Sequence, residues 1–475
     1  MKPPFRNQKP RVHTSLPGPK SLEAYSLEQR WIAPGLQQLC EKTKLAICDG
    51  RGNTLVDADG NHFLDWTSAM GVCSLGHRHP AFTARLKKAL ESPLSGSFTS
   101  HTRVAYLRAF SRYFPEPDRY CVQFYSSGTE AVESALRLAR SFTKRREVVA
   151  FWGAFHGKTH ASASLSFGTS STGAFRRFSL AGAEMPGVSY VPYPDCYRCP
   201  FGRTYPSCKL ACVDFLEKHI ASALQDRPAA LLVEPIQGTS GNRIPPPEFL
   251  PAVARIARKH GALLLCDEMI TGFGRTGHFW ASSRARVTPD ILMCGKAMGN
   301  GIPISAVLLH HRLKKALPWS GSSQSSSSYG GNPFSLAAAL TVLEVMEREQ
   351  LLNNVKTLGP VLEKELQPFE EFSFVGMAET CGLMARIELV TNNTRDPLPK
   401  AQCQKLFQAC LQEGVIALSY TPHMRVYLPL NTDSATLKNG VKALYRGFVA
   451  FEGAHTRRRS QTNHLYSQPQ VSISS

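Results

Sequence analysis

The chain has 475 residues, 43% of them apolar, and a formal net charge of +19. That length buries a sizeable core and predicts more than one domain. No apolar run reaches the roughly 18 residues of a membrane-crossing helix, and the N-terminus lacks the apolar middle of a signal peptide. The odd count of thirteen cysteines, most of them in apolar runs, suits unpaired thiols in a reducing, cytoplasmic setting.

Residues 1–24 read as a flexible basic arm: Lys2, Arg6, Lys9, Arg11 and Lys20 precede any acid before Glu23, and five prolines break an amphipathic transit helix. Arg457, Arg458 and Arg459 make the other end basic, within a polar stretch, 454–475, that reads as disordered. Basic ends can meet nucleic acid or anionic lipid. The reading adopted is a soluble enzyme handling anionic ligands, with no nucleic-acid or membrane partner.

Residues 44–66 alternate short apolar runs with Asp-Gly turns, which predicts a small antiparallel meander. A loop over 68–80 follows. The run 122–125 predicts a strand, then Ser126-Ser127-Gly128-Thr129-Glu130, then a helix over about 131–146 with apolar residues at helical spacing. A strand–small residues–helix junction frees backbone N–H groups at the positive end of a helix, an anion site or simply an N-cap. A strand over 148–152 runs into Phe155-His156-Gly157-Lys158.

The loop 192–212 holds Cys196, Cys199, Cys208 and Cys212. That spacing leaves three states open: a structural metal site, two disulfides, or a reduced packed loop. A strand over 231–233 ends at Glu234, and a helix is expected over about 248–260. The run 263–266 delivers Asp267 and Glu268; the run 291–294 delivers Gly295 and Lys296, ahead of the turn Gly299-Asn300-Gly301. Taken alone, Lys296 could be solvated and the acidic pair a helix cap. The serine-rich stretch 321–328 resembles a linker by composition. A helix is expected over about 333–350. Arg425, inside an apolar run, needs a partner, either a bidentate carboxylate or a structural salt bridge. Strands ending at 125, 152, 233, 266 and 294, with helices between several of them, predict an α/β fold with a mostly parallel sheet and the site at its strand C-termini.

The string Asp267-Glu268-x-x-x-Gly272-Phe273-Gly274-Arg275-Thr276-Gly277, with Lys296 after it, resembles the class III pyridoxal-phosphate aminotransferases, from about residue 35 to about 451. The resemblance implies a fold type I enzyme with a large domain over 81–335, interrupted by the cysteine-rich insertion. A small α+β domain would be built from 25–80 and 336–453. It implies pyridoxal 5′-phosphate as cofactor, Lys296 as the Schiff-base lysine and proton carrier, and Asp267 as partner of the pyridinium nitrogen. Gly128 and Thr129 would hold the phosphate, Phe155 would lie on the ring beside His156, and Glu234 and Met269 would face the cofactor. Ser328 would reach the phosphate of a neighbouring subunit, which implies a homodimer. Met70, Lys158 and Arg425 would touch substrate. The substrates implied are an omega-amine or amino acid donor and a 2-oxo acid, either 2-oxoglutarate or pyruvate. The chain departs from 4-aminobutyrate and ornithine enzymes at Lys158 (arginine there), Thr239 (glutamate) and Ile270 (glutamine). The same fold and lysine also support racemases, decarboxylases and aminomutases.

Overall fold

The computed structural model describes residues 9–35, 37–167, 184–419 and 421–465. Three short strands come first, β1 (Ile47–Arg51), β2 (Thr54–Asp57) and β3 (His62–Asp65), paired antiparallel in sequence. The central sheet contains β4 (Tyr120–Tyr125), β5 (Val148–Phe151), β6 (Val188–Val191), β7 (Ala230–Val233), β8 (Leu263–Asp267), β9 (Ile291–Cys294) and β10 (Ser305–His310). Its order is β4-β10-β9-β8-β7-β5-β6. From β9 to β6 every pair is parallel; β10 runs antiparallel to both its neighbours. A third sheet, β11 (Val375–Cys381), β12 (Met384–Leu389) and β14 (His423–Tyr427), is antiparallel.

Residues of β7, β8 and β9 are buried throughout, as expected of parallel strands covered on both faces. Side chains alternate between two cores. Ala230, Leu232, Leu263 and Leu265 pack with Ala131, Ala135 and Leu138 of the helix Gly128–Thr143. Leu231, Val233, Leu264 and Cys266 pack with Val253, Ile256 and Ala257 of the helix Phe249–His260. The period of two fixes which strand residues face which helix layer.

The helix expected over 131–146 begins earlier, at Gly128. Ser127 and Glu130 form a reciprocal capping box, and Lys144 in the left-handed region ends the helix. The helices expected over 248–260 and 333–350 run Phe249–His260 and Pro333–Arg348. The antiparallel β10 was not foreseen, although the turn Gly299-Asn300-Gly301 that precedes its run 305–310 is where the chain reverses.

Both chain ends depart from expectation. The arm is not free over 9–24: Arg11 exchanges backbone hydrogen bonds with His62, and Pro19–Glu28 is a helix whose first amides, Lys20 and Ser21, donate to Asp59 at 2.9 Å. Residues 1–8 lie outside the described residues. The expected disordered tail is helical to Leu465, the end of Ser434–Leu465, whose buried Leu437, Leu444 and Phe448 anchor it; residues 466–475 lie outside the described residues. The two ends of the chain meet where β13 (Val415–Ile416) pairs parallel with β3.

Candidate active site

The C-terminal ends of β5, β7, β8 and β9 gather Phe155, Glu234, Asp267 and Lys296 at one edge of the central sheet. Asp267 is 4% exposed. Its Oδ1 accepts the Met269 N–H at 3.0 Å, and its Oδ2 lies 2.8 Å from Nδ1 of the fully enclosed His156. Ser166 accepts the His156 backbone N–H at 2.9 Å, and the ring's other nitrogen, Nε2, is buried without a hydrogen-bond partner. A carboxylate held from two sides in this way is fixed in direction, with lone pairs left over.

Glu234 lies beside this pair. Its Oε1 accepts the Phe155 N–H at 2.9 Å and its Oε2 the Gly238 N–H at 3.1 Å. Burial, with Asp267 adding to it and His156 opposing, pushes its pKa up to about 7. Lys296 opens a single 3-10 turn, Lys296–Met298, and adopts φ 43°, a left-handed conformation costly for a side chain bearing Cβ. Burial lowers its pKa, while Asp267 and Glu234 hold it up.

Two glycines shape the floor. A Cβ on Gly128 would lie 3.1 Å from the Met269 sulfur, and one on Gly295 would lie 2.9 Å from the same atom. Met269 therefore bridges the start of the helix Gly128–Thr143 and the turn that carries Lys296, and a methyl at either glycine would press on its side chain. The first amides of that helix have no intrahelical acceptor and point outward from its positive end. Thr129 Oγ1 sits 2.6 Å from the hydroxyls of both Thr159 and Ser162.

On the other side, Met70 and Ile270 are partly buried against Ile236, Leu418 and Tyr427. Met70 lies in a turn whose residues 68–70 are all left-handed. Arg425, 9% exposed on β14, makes a long bond, 3.5 Å, to the Gly238 carbonyl and hydrogen-bonds the Tyr427 hydroxyl; it meets no carboxylate there, and its Nε has no partner among the described residues. Gly238 thus links Arg425 to Glu234 through its own N–H and C=O. Lys158 and Ser328, also expected at the site, are both exposed at the surface of the chain. The four cysteines of the insertion line one small enclosed cavity of about 20 Å³, yet among the described residues no three His, Cys, Asp or Glu side chains converge to hold a metal. Tyr193, Pro200, Phe201 and Pro246 complete the wall of the cavity. All four thiols are free, and burial pushes Cys196 up to about 11 and Cys212 up to about 12.

Some contributing residues escaped the sequence reading. Glu133, one turn after Thr129, accepts from Thr159 Oγ1 at 2.6 Å and from the Ala161 and Ser162 amides, fixing the hydroxyl cluster. The i, i+4 spacing from Thr129 was the available signal. Ser166 and Asn242 carried none. Asn242 Oδ1 accepts the Tyr427 hydroxyl at 2.5 Å across 185 residues.

The sequence matches the family described as Aminotransferase class-III over residues 38–447. The chain belongs to the class-III aminotransferases. It is 32% identical over 405 residues to a leucine/methionine racemase from Thermococcus litoralis, covering 83% of this chain and 88% of that protein. It is 31% identical over 410 residues to a probable 4-aminobutyrate aminotransferase from Bacillus subtilis, covering 84% and 92%. Among solved structures, an amine transaminase from an uncultivated Pseudomonas species in its pyridoxal-phosphate-bound form aligns with TM-score 0.80 at 29% identity, covering 88% of this chain and 98% of that one. This class-III aminotransferase is therefore a pyridoxal-phosphate enzyme acting on an amine and a 2-oxo acid. The site fits the cofactor: a helix N-terminus offers amides to a phosphate, and Asp267, braced by His156, keeps acceptor capacity for a ring nitrogen. Among the described residues no helix is long and apolar enough to cross a membrane.

Proposed function

We propose that this enzyme transfers an amino group from an amino acid or a terminal amine to a 2-oxo acid, with Lys296 and Asp267 as catalytic residues and Arg425 as the substrate-carboxylate contact. The observation that carries this reading is the buried set Asp267, Glu234 and Lys296 at adjoining strand ends, coupled electrostatically to one another. Bound pyridoxal phosphate supplies an electron-accepting ring and a carbonyl with which amines condense. With the cofactor bound, Asp267 would hold the ring nitrogen, Gly128 and Thr129 would hold the phosphate, and Phe155, His156 and Met269 would line the ring. Lys296 Nζ, whose pKa burial lowers, takes the proton from the donor's reacting carbon and returns it at the far side of the transfer. Glu234, fixed by two amides, orients the Phe155 turn. Met70 and Lys158 border the substrate entrance.

The test is a spectral titration of the purified holoenzyme from about 300 to 500 nm with single amines and no oxo acid. A donor-dependent shift of the cofactor band establishes the half-reaction. Lys296→Ala should lower steady-state transamination by about a thousandfold or more; retained turnover removes Lys296 from this role. A second reading draws on the racemase relative at 32% identity: inversion of a chiral amino acid with no acceptor added, followed by circular dichroism, would favour it.

We read the chain as a large domain over 81–335 and a small one from 25–80 and 336–453, supported by their separate sheets. We place the enzyme in the cytoplasm, with thirteen free cysteines among the described residues as support. We also propose a homodimer in which Ser328 completes the partner's phosphate site. Ser328 is exposed, as are Tyr329 (75%) beside it and Phe98 (74%) and Leu94 (46%) on the segment around Gly96. Gly96 packs against Asn332, so the two exposed segments form one patch.

A further inference from the structure

Behind Arg425 lies a buried group of ions drawn from separate parts of the chain. Asp195, on the cysteine loop, accepts from Arg243 at 3.2 Å and from Arg386 at 3.4 Å. Arg386 also pairs with Glu379 at 3.3 Å and, through Nε, with Glu388 at 2.8 Å. Glu388 in turn takes Arg198 and lies 2.9 Å from His423 Nδ1. The register of β12 on β14 sets Arg386 directly opposite Arg425. Like charges in that relation repel unless one is neutralised, and here three carboxylates neutralise Arg386. Burial, with all four arginines facing the ring, pushes the His423 pKa well below its ordinary value, so the imidazole adds no charge at neutral pH.

The inventory is Arg198, Arg243, Arg386 and Arg425 against Asp195, Glu388 and Glu379, whose carboxyl pKa burial raises while Arg386 opposes the rise. Arg425 is the cation left over, 9% exposed with an unpartnered Nε. A buried charge in that state is costly until an anion arrives. The remaining wall near Arg425, formed by Met70, Ile236 and Ile270, is hydrocarbon. Lys158, the other cation expected to touch substrate, is exposed.

We infer that this cluster is one anion short by construction and that Asp195 keeps the shortfall at one, so the site selects 2-oxo acids bearing a single carboxylate over dicarboxylates. The inference rests on the reading of Arg425 as the carboxylate contact. It gives the cysteine loop a purpose: the loop carries Asp195 to Arg243, which has no other carboxylate partner among the described residues. Without Asp195 a second buried cation is released, and a second carboxylate becomes welcome.

The experiment compares pyruvate and 2-oxoglutarate as acceptors for one common donor, using holoenzyme. The wild type should favour pyruvate in kcat/KM by about tenfold or more. Asp195→Asn should narrow that ratio about tenfold through a lower KM for 2-oxoglutarate, with kcat within about twofold, and Asp195→Glu should restore it. Arg243→Gln, which leaves three cations for three carboxylates, should raise the pyruvate KM about tenfold, and it decides the matter if Asp195→Asn does not fold. A wild-type preference for 2-oxoglutarate, a ratio unmoved in Asp195→Asn, equal losses for both acceptors, or an Arg243→Gln KM equal to wild type overturns the inference. Arg425→Ala separates the two levels: unchanged KM for both acceptors sinks the Arg425 reading itself.

Discussion

Adjacent carboxylates can have unrelated duties. Asp267 points to His156 and the reacting edge. Glu268, its neighbour, points to the other side, where it accepts from Thr271 and from the Ala281 and Ser282 amides. The sequence offered chemistry and helix capping as rival explanations for this pair; Glu268 takes the capping role, at the first amides of the helix Ala281–Arg284, and Asp267 is left free of it. Glu234 makes a prediction at this scale. Its carboxyl ionises near 4.5 when unfolded and about 7 in the fold. Between those values the folded state holds a proton that the unfolded state has lost, so the contribution to stability is full below about 4.5 and fades as pH rises to 7. The loss amounts to about 3 kcal/mol. Chemical denaturation of the cofactor-free protein at several pH values, beside Glu234→Gln, should show the wild type losing ground to the variant across that window. A constant difference between them would sink the assignment.

At the scale of elements, strand ends and the lysine turn were legible because buried parallel strands are short apolar runs with a sharp polar end. Cys266-Asp267 and Cys294-Gly295-Lys296 show that boundary in the letters alone. The antiparallel β10 was not legible, since strand direction depends on which neighbour it meets, and alternation along 305–310 is the same either way. The ion cluster behind Arg425 was equally hidden: Asp195 meets Arg386 across 191 residues. Only Arg386 and Glu388, two apart on β12, carry a local trace of it. The lysine turn itself is tightly built. A Cβ on Gly299 would sit 1.9 Å from the Ile302 carbonyl oxygen. Since that obstacle is backbone, Gly299→Ala should cost about 1–3 kcal/mol and loosen cofactor binding. Thermal unfolding with and without pyridoxal phosphate measures both, and an unshifted midpoint would refute the claim.

For the whole molecule, the exposed patch at Leu94, Phe98 and Tyr329 predicts self-association. Analytical ultracentrifugation should find a two-chain particle, and Phe98→Glu should shift it toward one chain while weakening cofactor retention through Ser328. A single-chain particle that holds cofactor normally would refute the shared site. A different consequence follows from the pairing of β3 with β13. Roughly 350 residues separate these strands, so at ribosomal speed the open edge of β3 waits on the order of 20–70 s for its mate. Only over the last roughly 120 residues of that interval does the emerging chain hold the lysine turn, and it still lacks Arg425. An exposed strand edge at that stage invites mispairing with other nascent chains, and yield in the cell should depend on translation pace as much as on final stability.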